Sequence, residues 1–264
     1  MGYMKRIFTP ICAGIVLLLS GCAKLSLTSD DELELNVYEL HLFYDETFQF
    51  EITKGGEPAS ISGYKGTSSD TLVGYLDEAS PGRFVAKRIG ATTVTYGGGK
   101  NKATAEVIIE PYHTLFEEPY LGFGASMGSV KSNEFRSAGQ ESSDYIWYHG
   151  ENPDLFYVDY SFDEAGLYAV FLDISSAGGM MDKLLVFYKE RYDYLDRYEN
   201  GWWFEDRNRQ LYVVVNHAES TTKGGILVTY FQDETDEVMA TMSAGRVARG
   251  PASGNLPQPH PQQR

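Results

Sequence analysis

Leu155-Phe156-Tyr157-Val158-Asp159-Tyr160-Ser161-Phe162, then Asp163-Glu164-Ala165-Gly166, then Leu167-Tyr168-Ala169-Val170-Phe171-Leu172-Asp173-Ile174 is the stretch on which the fold turns. Two runs rich in aromatic and β-branched residues flank four residues of turn chemistry, so the segment reads as two antiparallel strands and their hairpin. Successive side chains of a strand point to opposite faces. Alternation therefore puts Phe156, Val158, Tyr160 and Phe162 on the buried side and leaves Tyr157 and Asp159 facing outward.

On the N-terminal side of the hairpin a strand is expected over 144–148, preceded by a helix from Ser126, a suitable N-cap, to about Arg136. On the C-terminal side, after Gly178-Gly179, Met181, Leu184, Leu185, Tyr188, Tyr192 and Leu195 recur at helical spacing. Strands follow over 201–205, 210–216 and 225–231. The order is one helix and three strands, stated twice. Tyr145-Ile146-Trp147 aligns with Trp202-Trp203-Phe204, Leu155-Phe156-Tyr157 with Leu211-Tyr212-Val213, and Leu167-Tyr168-Ala169 with Ile226-Leu227-Val228, at offsets of 56 to 59 residues. Residues 112–237 are thus expected to form an α+β domain of two helix-plus-three-strand units, an antiparallel sheet with helices on one face. The element order resembles β-lactamase-inhibitor-like proteins and small outer-membrane assembly lipoproteins, among them uncharacterised duplicated α-βββ envelope modules. That resemblance implies a surface for binding other macromolecules.

Residues 33–111 carry a different pattern. Leu33, Leu35 and Val37 alternate with Glu34 and Asn36, and Phe48, Phe50 and Ile52 alternate with Gln49, Glu51 and Thr53. Further strands are expected over 71–76, 83–87, 92–96 and 103–109, separated by turns at Lys54-Gly55-Gly56, Ser80-Pro81-Gly82 and Gly97-Gly98-Gly99. Many short strands at this spacing indicate an all-β sandwich. Leu40-His41-Leu42 with Glu46-Thr47, then Ser68-Ser69-Asp70, Gly82-Arg83-Phe84-Val85-Ala86 and Gly90-Ala91-Thr92-Thr93-Val94-Thr95 resemble, in that order, the group 2 bacterial Ig-like (BIG2-like) domains. Asp45 stands where that family usually has Gly, and Tyr64 is the nearest aromatic where a Trp precedes the Ser-Ser-Asp. The resemblance implies an Ig-like stalk.

The start of the chain gives an address. Lys5 and Arg6 precede an apolar run from Ile7 to Leu19, then Leu19-Ser20-Gly21-Cys22. The run is shorter than the roughly 20 residues that span a bilayer, and the layout is that of a secretory signal over residues 1–21. The last four residues resemble a bacterial lipobox, which implies lipidation at Cys22 and membrane partnership through an N-terminal lipid anchor. The expected location is the outer membrane, with display at the cell surface suggested by the acidic linker 22–32 and its Ser29-Asp30-Asp31-Glu32. Cys12 leaves with the signal, so the mature chain has no internal disulfide or thiolate metal site. Residues 238–264 change composition abruptly and read as a disordered tail.

The net charge is −15, and losing Lys5 and Arg6 takes the mature chain to −17. Such a surface repels nucleic acid. The histidines His41, His113, His149, His217 and His260 show no metal-ligand spacing, no GxSxG elbow occurs, and Gly122-Phe123-Gly124 departs from the GxGxxG phosphate pattern. Neither Asp30-Asp31-Glu32 nor Asp233-Glu234-Thr235-Asp236-Glu237 has an EF-hand pattern. No cofactor, metal or catalytic residue is therefore assigned. Chain parity separates Trp202 from Trp203, and the candidate ligand-binding surface is Trp147, Tyr157, Trp202, Trp203 and Tyr212. The expected work is non-catalytic binding or adhesion, with a polysaccharide, glycoprotein or envelope-protein ligand. The alternatives are a glycan-acting hydrolase using a carboxylate pair such as Asp159 with Glu190, and a structural component of envelope assembly.

Overall fold

The computed structural model describes residues 32–198, 201–217 and 225–232. The signal 1–21, Cys22, nearly all of the acidic linker and the tail 238–264 lie outside the described residues, so their readings stand as expectations.

Ten strands build the N-terminal module: β1 (Leu33–Leu35), β2 (Glu39–Phe43), β3 (Thr47–Gln49), β4 (Ile52–Lys54), β5 (Glu57–Ala59), β6 (Gly66–Ser68), β7 (Gly74–Leu76), β8 (Arg83–Ala86), β9 (Gly90–Gly98) and β10 (Asn101–Glu110). They form sheets of order β2-β10-β9-β6, β3-β8-β7 and β1-β4-β5 around one core that includes Phe50, Phe84, Val94, Tyr96 and Val107. The single strand expected around Phe48–Ile52 is two. β3 pairs with β8 and β4 with β1, and the crossing falls between Phe50, whose N–H still donates to the Gly82 carbonyl beside β8 at 2.8 Å, and Glu51, whose carbonyl accepts from the Asn36 N–H beside β1 at 3.1 Å. Gly82 permits this approach: its φ is 89°, and a Cβ there would stand 2.7 Å from the Phe50 oxygen. Asp45 has a φ of 65°, a left-handed conformation that Asp tolerates better than most non-glycine residues. The Ser68-Ser69-Asp70 motif closes on β9. Thr92 Oγ1 lies 2.8 Å from Ser68 Oγ and accepts from the Asp70 N–H at 2.9 Å.

After the connector 111–126 come α1 (Met127–Asn133), β11 (Ala138–Glu141), β12 (Tyr145–Asn152), β13 (Leu155–Asp163), β14 (Gly166–Ile174), α2 (Met180–Lys189), β15 (Asp193–Tyr198), β16 (Gly201–Asp206), β17 (Leu211–His217) and β18 (Ile226–Phe231). The expected α+β domain of two helix-plus-three-strand units is corrected here. This module is predominantly β, one eight-stranded antiparallel sheet of order β11-β12-β13-β14-β18-β17-β16-β15, and its two helices span only seven and ten residues. The order runs outward from the central β14–β18 pair, and each half contributes four strands to one continuous sheet. The misreading has two physical causes. All four residues of β11 are exposed, so that edge strand has no apolar alternation to betray it. The helical spacing that ran on to Leu195 stops at Lys189, and the chain turns at Glu190 and Tyr192 into β15.

Both helices pack on one face of the sheet. Val130 of α1 and Met180, Leu184, Phe187 and Tyr188 of α2 join Ile146, Val158, Tyr160, Val170, Leu172, Phe204, Val213 and Val228 in the main core. Phe156 is not among them, because the register of β13 against β14 shifts between Leu155 and Tyr157 and puts Leu155 in the core instead. The modules meet where the β8–β9 turn reaches the end of α2. Ile89 N–H donates to the Glu190 carbonyl at 2.8 Å, Arg88 pairs with Asp193 at 2.6 Å, and the Tyr112 N–H donates to Glu190 Oε1 at 2.7 Å.

Candidate functional site

Strand parity selects what the helices do not cover. Trp147 and His149 of β12, Tyr157 and Asp159 of β13, Ala169, Phe171 and Asp173 of β14, Leu227, Thr229 and Phe231 of β18, Tyr212 and Val214 of β17 and Trp203 of β16 share the sheet's second face, as their register shows.

Four of the five candidate residues lie on that face and the fifth does not. Trp202 packs against the helix-side core, with the Arg197 guanidinium 4.6 Å from its ring centroid. The other four fall into two groups at opposite ends. Trp147 and Tyr157 meet edge to face at 5.1 Å, and both are buried, at 5% and 7% exposure. Trp147 sinks because Gly139 on β11 has no side chain: a Cβ there would stand 2.3 Å from the indole. Across the sheet, Phe231 is sandwiched between Trp203, edge-on at 5.9 Å, and Tyr212, stacked at 5.7 Å and 27°. Trp203 and Tyr212 are half-buried, as is Tyr168, which packs against this cluster and its neighbour. These three rings form an aromatic shelf over Phe231 and Val214.

Between the groups lie Asp159 and Asp173, 2% and 1% exposed. Asp159 pairs in register with Phe171 and Asp173 with Tyr157, which makes the two diagonal neighbours about 7–8 Å apart by sheet geometry. Neither is without a partner. Asp173 was not singled out from the sequence, yet its parity with Ala169 and Phe171, opposite to Val170, Leu172 and Ile174, was the available signal.

The carboxylate pair Asp159 and Glu190 does not converge. Asp159 sits on the second face, whereas Glu190 ends α2 on the other side, fully buried, accepting from the Tyr112 N–H and lying 3.2 Å from Arg191 Nη1. Among the described residues no group of three His, Cys, Asp or Glu side chains is placed to hold a metal ion, and no helix is long and apolar enough to cross a membrane.

Two buried charged networks secure the helix side. In the first, Arg136 Nε donates to Glu151 Oε2 at 2.6 Å and Nη1 to Glu134 Oε1 at 2.9 Å, while Nη2 reaches the Glu117 carbonyl and Tyr160 Oη donates to Glu134. Burial alone pushes the Glu151 carboxyl up, but the Arg136 hydrogen bond, backbone donors and the Arg136 charge bring it below its ordinary value. In the second, Tyr192 Oη donates to Glu118, with Tyr188 and Tyr230 hydroxyls 2.7 Å apart beside it. Here burial dominates and raises the Glu118 carboxyl, against the opposing effects of the Tyr192 hydrogen bond, Arg191, Arg209 and Tyr230. Both networks fasten the connector 111–126 to the sheet.

No protein-family model and no curated protein matches the chain. Among solved structures it is similar to domains 5–6 of the S-layer protein SbsC, at 13% identity and a TM-score of 0.24 over 76% of this chain and 83% of that one. It is similar also to domains 4–9 of the surface layer protein SbsC, at 11% identity and a TM-score of 0.25, over 79% of this chain and 28% of that one. Overlap of that size assigns neither fold nor role.

Proposed function

We propose that the chain is an envelope protein tethered to the outer membrane by a lipid at Cys22, displayed at the cell surface, whose work is capture of a ligand rather than chemistry. Residues 33–111 serve as an Ig-like spacer, and residues 112–237 present the second face of the β-sheet. The observation that carries this reading is the shelf of Tyr168, Trp203 and Tyr212, three half-buried rings on a rigid sheet backed by Phe231. Aromatic rings with a polar tip give large contact area at low entropic cost, which suits a polysaccharide, a glycoprotein or a neighbouring envelope protein. The separation of Asp159 from Glu190 supports binding over glycoside hydrolysis, since that reaction needs two carboxyls facing one bond.

Protease shaving of intact cells, followed by glycan and envelope-protein binding with the Trp203→Ala/Tyr212→Ala protein, tests both halves. Release of the sheet module by protease, and at least a tenfold loss of binding with the double variant, are expected. Membrane partitioning of a Cys22→Ser protein unchanged from wild type, or turnover of a polysaccharide, would contradict the proposal.

A further inference from the structure

The N-terminal module is open along one side. Between its edge strands β6 and β7 runs a groove of about 770 Å³ that ends at the β7–β8 turn, within the range of about 300–1,000 Å³ typical of small-ligand sites. Tyr96, on β9, supplies the floor. Gly66 stands opposite it on β6, and a Cβ at Gly66 would lie 2.7 Å from Tyr96 Cε1. The hydroxyl end of the ring therefore lies against Gly66 and Leu76, in the inner wall of the groove. That ring is 3% exposed, and its Oη is buried with no hydrogen-bond partner in the protein. Leaving a buried hydroxyl unpaired costs stability that pairing with a ligand would recover.

We propose that this groove binds a short stretch of neutral polysaccharide, its apolar C–H faces resting on Tyr64 and Tyr75 and one sugar hydroxyl pairing with Tyr96 Oη. Tyr75 is 43% exposed and offers a ring face without further rearrangement. Burial pushes the Tyr96 hydroxyl up to about 12, so it stays protonated and able to donate at any physiological pH. Exposed Thr67 and Thr71 add hydroxyls, and Glu78 and Lys65 supply an acceptor and a donor at the rim.

Other ligand chemistries fit less well. The ionisable residues of the lining, Lys65, Asp77 and Glu78, leave one net negative charge in a chain of net charge −15, which disfavours an anion. An added peptide strand needs an edge to pair with, and β6 and β7 are three residues each. The hydroxyl-bearing rim suits a ligand that brings its own hydroxyls over a purely apolar chain.

The inference goes beyond the spacer role of residues 33–111 and does not rest on the shelf of residues 112–237. Full-length protein in detergent is titrated calorimetrically with neutral hexaoses of glucose in α-1,4, β-1,4 and β-1,3 linkage, of mannose and of xylose, with oligogalacturonate as the anionic comparison. In the Trp203→Ala/Tyr212→Ala background, which removes the C-terminal shelf, binding of at least one neutral hexaose is expected, weakened at least tenfold by adding Tyr75→Ala and unchanged by adding Tyr38→Ala at an exposed ring outside the groove, with all proteins matched by circular dichroism. Absence of binding to every neutral hexaose, preference for oligogalacturonate, or binding insensitive to Tyr75→Ala would overturn it. Binding by the wild-type protein that is absent from the Trp203→Ala/Tyr212→Ala background would place the ligand on the C-terminal shelf and overturn it as well.

Discussion

Arg136 and the Tyr188–Tyr230 pair, under the helices, and Tyr96, in the lining of the groove between β6 and β7, are buried polar groups held in opposite ways. Under the helices, Arg136 is held by Glu134, Glu151 and the Glu117 carbonyl, and Tyr188 and Tyr230 share a hydrogen bond. In the groove, Tyr96 Oη has no partner from the protein. A buried polar group adds to stability only when paired and detracts when left alone. The paired groups hold the connector to the sheet, whereas the Tyr96 hydroxyl, in the lining of a groove, has a partner to gain from a ligand; Tyr148 Oη, unpartnered in the core under the helices, lies outside that groove.

The largest effect should come from Arg136→Ala. Its side chain and that of Glu134 are each 1% exposed, and breaking a buried pair from one side leaves an uncompensated charge, at a cost of about 3–5 kcal/mol. Urea unfolding measures this, and a loss under ~1 kcal/mol would show that the cluster is not closed to water. Glu118→Gln should act in the other direction. An acid whose folded pKa is raised holds its proton more tightly in the folded state, so stability falls as pH rises from the ordinary carboxylate value through the raised one. The variant should be the more stable at pH 8 and should lose that advantage below pH 4. Equal pH profiles for the two proteins would mean that Glu118 is hydrated. Glu151 runs the opposite way: its lowered pKa makes its contribution present above the ordinary value and lost as pH falls through the lowered one.

The smaller effects sharpen the contrast between hydroxyls. Tyr188→Phe removes one partner of a buried pair and leaves Tyr230 short, which should cost about 0.5–1.5 kcal/mol. Tyr96→Phe removes a hydroxyl that has no partner, and should leave stability unchanged or raise it by up to ~1 kcal/mol. Thermal unfolding of both variants reads the difference, and equal losses would erase the distinction between the two regions.

Much of the sheet was legible because its strands are long and patterned. The Asp163-Glu164-Ala165-Gly166 turn joins β13 to β14 in register from Asp163 to Gly166, and parity alone separates Trp202 from Trp203. The extra strands were not legible. β11 has no buried residue to set an alternation, and Tyr192 and Leu195 carry a helical spacing past the point where α2 ends. The strand through Phe50 divides because Phe50 and Glu51 take partners in different sheets, Gly82 and Asn36, which no local pattern announces. The candidate site divides the same way. The face of Tyr157, Trp203 and Tyr212 follows from alternation, whereas the burial of Trp147 follows from Gly139 on a strand the sequence did not declare. Tyr96 shares the parity of Val94 on the core face, and only the pairing of β9 with Gly66 on β6 puts its ring in the wall of a groove.

One measurement bears most directly on the division between paired and unpaired groups: unfolding free energy and affinity for a neutral hexaose, taken on the same preparation of Tyr96→Phe. Unchanged or increased stability together with weakened binding is the predicted result. A loss of stability as large as that of Tyr188→Phe, with binding intact or absent in both proteins, would contradict it.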